Sequence, residues 1–161
     1  MTLTTISGLP AHALLVHAMV VVAPLTALLE ILCALWPAAR RHLVWLVLAF
    51  ALVTAALTPI TANAGGWLYD QEHHHRDILN THAERGGWMI YFSIALLVVA
   101  VVLALVHWRE VRAAAPGLAV RVVVAVVAIV VGAASIVQIV RIGDSGAQSV
   151  WGNELTKSSK P

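Results

Sequence analysis

Charged residues are scarce in this chain of 161 residues. Asp, Glu, Lys and Arg together make up 11% of it, hydrophobic residues make up 60%, and the mean hydropathy is +0.87. Soluble domains carry about 25% charged residues, so this composition indicates a membrane protein. The net charge is only +2 and the sequence has no basic stripe, which excludes nucleic-acid binding.

Other features that the sequence lacks argue against further classes of structure and chemistry. The only cysteine is Cys33, so an internal disulfide is impossible. Residues 1–10 contain no Lys or Arg, so the basic n-region of a signal peptide is missing and we expect the first apolar run to be retained. The apolar runs do not alternate with polar residues, which disfavours a β-barrel. The sequence contains no nucleophile with a companion base, glycine-rich phosphate loop or pair of catalytic acids, so hydrolase and transferase chemistry have no support.

Four long apolar runs predict an all-α fold, a four-helix transmembrane bundle in one membrane domain. About 20 apolar residues are enough to span a bilayer. The predicted spans cover about residues 11–36, 43–61, 88–108 and 118–142, with a polar loop at 70–87 and a tail at 143–161. We expect a tight basic turn at residues 38–42. We also expect Gly143 to end the fourth helix, with a separate short helix in the tail.

The distribution of basic residues predicts the orientation of the bundle. Four spans put both termini and the 70–87 loop on one side. The short connections on the other side are rich in arginine: Arg40, Arg41, Arg109, Arg112 and Arg121. By the positive-inside rule these connections are cytoplasmic. The sequence therefore predicts a multi-pass protein of the plasma membrane whose termini and polar loop are extracytoplasmic.

Histidine is the main chemical signal. Six of the eight histidines fall on the predicted outer side: His12, His17, His73, His74, His75 and His82. Neutral imidazole is the commonest metal ligand and also accepts protons in the physiological pH range. The outer face is therefore the candidate site for a cofactor.

A b-type haem or a transition-metal ion held by histidines of two helices is the first hypothesis. At a rise of about 1.5 Å per residue, His17 lies roughly 6–9 Å inside the first span while His82 lies about 9 Å beyond Trp88, so those two are staggered. His12 lies about 7.5 Å higher than His17 and is level with His82. The sequence favours a pair of His12 and His82, with His17 or the triplet at 73–75 as a helper. Arg141 is a candidate partner for a haem propionate, although an ion pair with Asp144, three residues later, is the plainer explanation.

Further metal ligands lie in the polar loop and the tail. His73 and Asp77 are four residues apart, a spacing that holds one metal ion on a helix face. His75 and His82 also share a face if this loop is helical, and Asp144 in the tail is an acidic candidate. The alternative is a solvated loop helix whose histidines bind nothing.

Glu30 is an acidic residue well inside an apolar run. Such a residue is a functional candidate by default. It lies only about 9 Å from the Trp36 end of the helix. We therefore favour a structural role, in which Glu30 reaches toward Arg40 or pairs with His107.

Several residue strings resemble one family of predicted membrane proteins of actinobacteria, the domain of unknown function number twenty-two thirty-one. The strings are Gly8–His12, Leu14–Ala18, Leu35–Arg41, His82–Gly86 and Arg141–Ala147. The resemblance covers nearly the whole chain and implies a four-helix membrane protein. The family's motif histidines match His12, His17 and His82. Many relatives have a histidine where this chain has Asp144 and lack the triplet at 73–75, which leaves room for a different ligand set here.

Two functional hypotheses remain open. One is a membrane protein with a histidine-rich outer face that binds a haem or a metal ion in a redox role. The other is a non-catalytic subunit or assembly factor that packs against a larger membrane complex or a second copy of itself. An ion conductor ranks last, because few polar residues are available to cross the bilayer. All three predict contact with the lipid bilayer.

Overall fold

The computed structural model describes residues 5–6, 9–71, 77–112 and 116–158. Its helices are α1 (Ala11–Leu35), α2 (Pro37–Asp70), α3 (Asp77–Arg112) and α4 (Leu118–Ser158). A two-residue antiparallel pair, β1 (Thr5–Ile6) with β2 (Leu9–Pro10), precedes α1. All four helices are long and apolar enough to cross a membrane. The predicted all-α, four-helix transmembrane bundle is confirmed.

The break between α1 and α2 is a single residue. Trp36 has extended backbone angles, and Pro37 follows at the first helical position, where its missing N–H costs no hydrogen bond. Residues 38–42, which include Arg40, Arg41 and His42, therefore lie in the first turns of α2. The prediction of a tight basic turn there is wrong. α3 likewise begins at Asp77, so the second half of the polar 70–87 segment is helical.

Gly143 does not end α4. The helix continues through this residue to Ser158, so the predicted glycine cap and separate tail helix are wrong. A glycine inside a helix costs only about 1 kcal/mol relative to alanine. The continued helix is held to its neighbour, because Ser145 is fully buried and Gly146 packs against a side chain of α3.

The four helices form a square bundle. Each packs against the next in sequence and α4 closes against α1, which leaves α1 and α3 on one diagonal. Buried apolar residues around Cys33, Val47 and Leu103 form the larger core cluster, and a second cluster surrounds Met19 and Met89. Many large apolar side chains of every helix face outward. A lipid bilayer covers such a surface at no cost.

The small-residue face of α4 is used inside the bundle. Ala128 and Ser135 are buried, and a Cβ at Gly132 would lie 2.9 Å from Ile31 Cδ1 and 3.3 Å from the Ala27 carbonyl oxygen. Only glycine allows this approach. This small-residue face brings α4 close to α1 of the same chain.

We name the two ends of the bundle by their polar groups. The histidine end contains His12, Thr61, His82 and Ile142, and the opposite end contains Arg40 and Glu110. At the opposite end, Arg40 Nη2 donates to Glu110 Oε1 at 2.5 Å and Arg40 Nη1 donates to the Cys33 carbonyl at 2.9 Å. The Arg40 side chain is only 3% exposed. This ion pair ties α2 to α3, and the sequence alone did not reveal it.

Glu30 lies one helical turn before Cys33 and is fully buried. Within the described residues, neither of its carboxyl oxygens has a hydrogen-bond partner. The same holds for the buried Nδ1 of His107, whose ring lies edge-on against Trp45. The predicted pairing of Glu30 with Arg40 or His107 is therefore wrong. Arg40 is instead bound by Glu110 and by the Cys33 carbonyl.

Candidate functional site

Two imidazole rings meet at the histidine end. His12 near the start of α1 and His82 in the second turn of α3 lie with their ring centroids 6.1 Å apart and their planes at 82°. Their helices occupy one diagonal of the bundle, so the pair sits on its central axis. Both side chains are half-buried. The depth argument from helical rise correctly predicted that these two histidines lie level.

The His12 ring is held by α2. Its Nδ1 lies 3.0 Å from the carbonyl oxygen of Thr61. One turn further along α2, a Cβ on Gly65 would lie 2.8 Å from His12 Cε1 and 2.9 Å from Nδ1. The ring therefore rests directly on the backbone of α2, where glycine alone leaves room for it.

The His82 ring is held by α4 in the same manner. Its Nδ1 lies 3.1 Å from the carbonyl oxygen of Ile142 and 3.4 Å from Ser145 Oγ. A Cβ on Gly146 would lie 3.0 Å from His82 Cε1 and 3.3 Å from Nδ1. The hydroxyl of Ser145 donates to the backbone of its own helix. The carbonyl of Ile142 is therefore the main partner of the ring.

The two halves of the site are equivalent. In each half, the helix that follows the histidine provides a carbonyl oxygen and, four residues later, a glycine. The corresponding segments, Thr61–Gly65 and Ile142–Gly146, end in Asn-Ala-Gly and Asp-Ser-Gly. The α1–α2 and α3–α4 hairpins thus surround His12 and His82 with the same pattern of contacts.

These contacts decide which nitrogen of each ring carries the proton. A backbone carbonyl can only accept a hydrogen bond, so Nδ1 of each histidine is the donor. In a neutral imidazole the other nitrogen, Nε2, then keeps its lone pair. Histidines that ligate metals nearly always donate their second nitrogen to a carbonyl or carboxylate in this way. Nδ1 is therefore the protonated nitrogen of each ring, as it is in histidines that ligate a metal through Nε2.

Hydrogen bonds between α3 and α4 stabilise the bundle next to the histidine pair. Gln138 Nε2 donates to the Arg85 carbonyl at 2.7 Å, and Arg85 Nη1 donates to the Arg141 carbonyl at 3.0 Å. Above the site, the Tyr69 hydroxyl donates to Asn80 Oδ1 at 2.6 Å and joins α2 to α3. These bonds fix the position of α3, and with it the position of His82.

The remaining predicted ligands are not part of this pair. His17 is exposed on another face of α1, and its Nδ1 donates to the Ala13 carbonyl of the same helix. Arg141 and Asp144 are exposed at the level of the pair and form no ion pair within the described residues. Asp77 is exposed at the first residue of α3. His73 and His75 lie outside the described residues.

A site with three or more protein ligands is not present in the part of the chain that the structure describes. No group of three His, Cys, Asp or Glu side chains there is arranged to hold a metal ion. The pair of His12 and His82 thus offers two ligands only.

The supporting glycines were missed from the sequence. Gly65 lies between the second run and the polar loop, and Gly146 lies in the predicted tail, so neither is near a histidine in the chain. The repeated pattern of a small residue and glycine after Asn63 and Asp144 was the available signal.

Comparison with known proteins agrees with the fold. The sequence model of the family described as predicted membrane protein, DUF2231, matches residues 8–159, which confirms the resemblance seen in the sequence. No curated protein and no solved structure matches the chain. Because the match extends over far more than half of the chain, this protein belongs to the DUF2231 family of predicted membrane proteins.

Proposed function

We propose that this protein is a redox protein of the membrane that binds a b-type haem between His12 and His82. The observation that carries the proposal is the pair of hydrogen bonds from Nδ1 to the carbonyls of Thr61 and Ile142. Together they leave an Nε2 lone pair on each of two neighbouring rings. Axial ligation by two imidazoles needs this arrangement.

The spacing of the rings supports a shared metal. Two metal–nitrogen bonds of about 2.0–2.1 Å, with about 1.2 Å from each ring centroid to its nitrogen, separate the centroids by about 6.4 Å. The observed separation is 6.1 Å.

The number of protein ligands favours haem over a bare ion. A zinc or copper ion takes three or four ligands, most of them from the protein. Within the described residues, the pair of His12 and His82 provides two protein ligands, and no third ligand joins them. Haem brings the four nitrogens of its own macrocycle and needs two more ligands. The exposed guanidinium of Arg141 lies one residue before Ile142 and is available for a haem propionate.

Two axial histidines suit electron transfer. If His12 and His82 both held the haem, they would leave no free position for a substrate, so the protein would pass electrons rather than activate oxygen. The exposed position of Arg141 and Asp144 beside the pair gives a redox partner access to the haem edge. By the positive-inside argument, this end of the bundle faces the outside of the plasma membrane.

The spectrum of the protein purified in mild detergent tests the proposal. We expect a Soret band and a sharp α-band in the reduced-minus-oxidised difference spectrum, with about one haem per chain. Metal analysis of the same sample distinguishes haem iron from a bare ion. A colourless and metal-free protein after expression with added haem precursor would contradict the proposal. It would favour the alternative of a non-catalytic membrane subunit.

Gly65→Ala is expected to lower haem binding strongly. The added methyl group would lie 2.8 Å from His12 Cε1, so the ring must leave its place and its bond to Thr61. Loss of such a supporting bond typically costs about 10–100-fold in metal affinity. Haem titration of the apoprotein measures the effect.

Gly66→Ala is the matched control, because a Cβ at Gly66 meets nothing within 4 Å. We expect it to keep the affinity of the unmodified protein. Its stability should rise by up to about 1 kcal/mol through the better helix propensity of alanine. Equal haem affinities of the two variants would show that the contact between Gly65 and His12 does not position the ligand.

A further inference from the structure

Glu30 is the most unusual polar group of the bundle that the candidate haem site does not use. It is fully buried in the interior of α1, and neither carboxyl oxygen has a hydrogen-bond partner in the part of the chain that the structure describes. The buried hydroxyls of the bundle differ from it. Those of Thr26, Thr54 and Ser135, for example, donate to a carbonyl of their own helix.

The surroundings of Glu30 offer no compensation for a negative charge. Buried residues one turn away on α1 are Thr26, Ala27 and Cys33. The Thr26 hydroxyl donates to the Val22 carbonyl, and the core cluster at this level is apolar. Between His42 and Asp70 on α2, between Arg85 and His107 on α3, and between Arg121 and Arg141 on α4, the sequence contains no charged or histidine residue. An ionised carboxylate there would be unpaired in a medium of low dielectric, which is far less favourable than the neutral acid.

Every titratable group near Glu30 lies toward the opposite end. Cys33 is on the same helix, and its carbonyl accepts a hydrogen bond from Arg40, which is paired with Glu110. His107 of α3 lies at this end too, and its buried Nδ1 has no partner. The Glu110 side chain is 17% exposed. A chain of polar groups thus leads from the surface at Glu110 through Arg40 to the backbone one turn from Glu30.

We propose that Glu30 is a proton-binding site inside the membrane, which carries a proton at neutral pH and exchanges it through the opposite end of the bundle. The proposal is independent of haem. Glu30 is 18 residues, or about 27 Å of helix, from His12. A buried acid with no partner is retained at a cost in stability, and intramembrane acids of this kind typically serve proton transfer.

Dicyclohexylcarbodiimide, a lipid-soluble reagent, tests the protonation state directly. A protonated carboxyl transfers its proton to one nitrogen of the reagent while its oxygen adds to the central carbon. The resulting O-acylisourea rearranges to a stable N-acylurea. The overall reaction is an addition without a leaving group or a change of oxidation state. Mass spectrometry of peptides from the purified chain in detergent locates the adduct.

We expect the adduct on Glu30 at neutral pH, and only background on Glu84 and Glu110. A carboxyl group in water is less than about 1% protonated at that pH. Glu84 is exposed, and Glu110 is paired with Arg40. Glu30→Gln, which keeps the size and helix propensity of the side chain, should lose the adduct. Labelling of Glu30 should fall reversibly in alkaline buffer, as expected if the proton exchanges.

Three outcomes would overturn the proposal. They are an unlabelled Glu30 in a protein with native helix content, equal labelling of Glu30 and Glu84, and labelling of Glu30 by a water-soluble carbodiimide as readily as by the lipid-soluble one. The last result would place Glu30 in water. The decisive labelling of Glu30 is measured on the unmodified protein, so misfolding of a variant does not affect the result.

Discussion

Replacement of His82 by alanine is expected to reduce bound haem to background. The substitution removes one of the two proposed ligands and the hydrogen bond between its ring and the Ile142 carbonyl. His12 alone would then have to hold the haem. We expect the sharp α-band to disappear from the difference spectrum. Bound iron, measured by metal analysis, should fall by at least about tenfold.

His12→Ala should have the same effect, because the two proposed ligands are held by the same pattern of contacts. The matched control is His17→Ala. His17 lies on the same helix but is exposed and bonded to its own backbone, so its loss should leave the spectrum unchanged. Full haem content in either the His12 or the His82 variant would show that the cofactor site is elsewhere.

Glu110→Ala is expected to destabilise the bundle by about 3–5 kcal/mol, the usual cost of removing one partner of a buried ion pair. Arg40 would remain in the core at 3% exposure with only the Cys33 carbonyl as an acceptor. The bond between α2 and α3 at the opposite end would also be lost. Unfolding in mixed micelles of mild and denaturing detergent measures the change in free energy.

The double variant Arg40→Met with Glu110→Leu separates two causes of the lost stability. One is the unpaired charge of the buried Arg40, and the other is the loss of the bond between α2 and α3. The double variant removes both charges and fills the space with apolar atoms, so we expect it to recover most of the stability. Arg41→Ala, one residue away but exposed, should change the free energy by less than about 0.5 kcal/mol. A similar loss in the Arg41 and Glu110 variants would mean that the ion pair contributes nothing specific.

The histidine pair shows what can be predicted from helical rise, which gives the depth of each residue along the bundle. Helical rise alone brought His12 and His82 to one level and separated them from His17, because rise per residue is nearly constant in any helix. The same argument did not identify Gly65 or Gly146. Contacts between a ring and a backbone depend on how two helices pack, and local propensity does not encode packing.

Glu30 and Arg40 show where charge reasoning from the sequence failed. Both lie near one end of the bundle, and their opposite charges suggested a pair. In the structure Arg40 turns to Glu110, which is 70 residues away, and Glu30 remains in the core. Which carboxylate an arginine meets depends on the neighbouring helix, and the spacing along one helix does not determine it.

Apolar length and composition by themselves determined that this protein has four helices across a membrane. In lipid, backbone N–H and C=O groups without hydrogen-bond partners are costly. An apolar segment long enough to span the bilayer therefore forms a helix, which pairs these groups within the segment. Apolar length and composition did not determine where the helices end. α2, α3 and α4 extend beyond the apolar spans, since helices continue into water wherever side chains hold them. Only the tertiary structure showed that His12 and His82 form one half-buried pair of rings, each packed against a glycine of the next helix, because that geometry depends on contacts between helices distant in sequence.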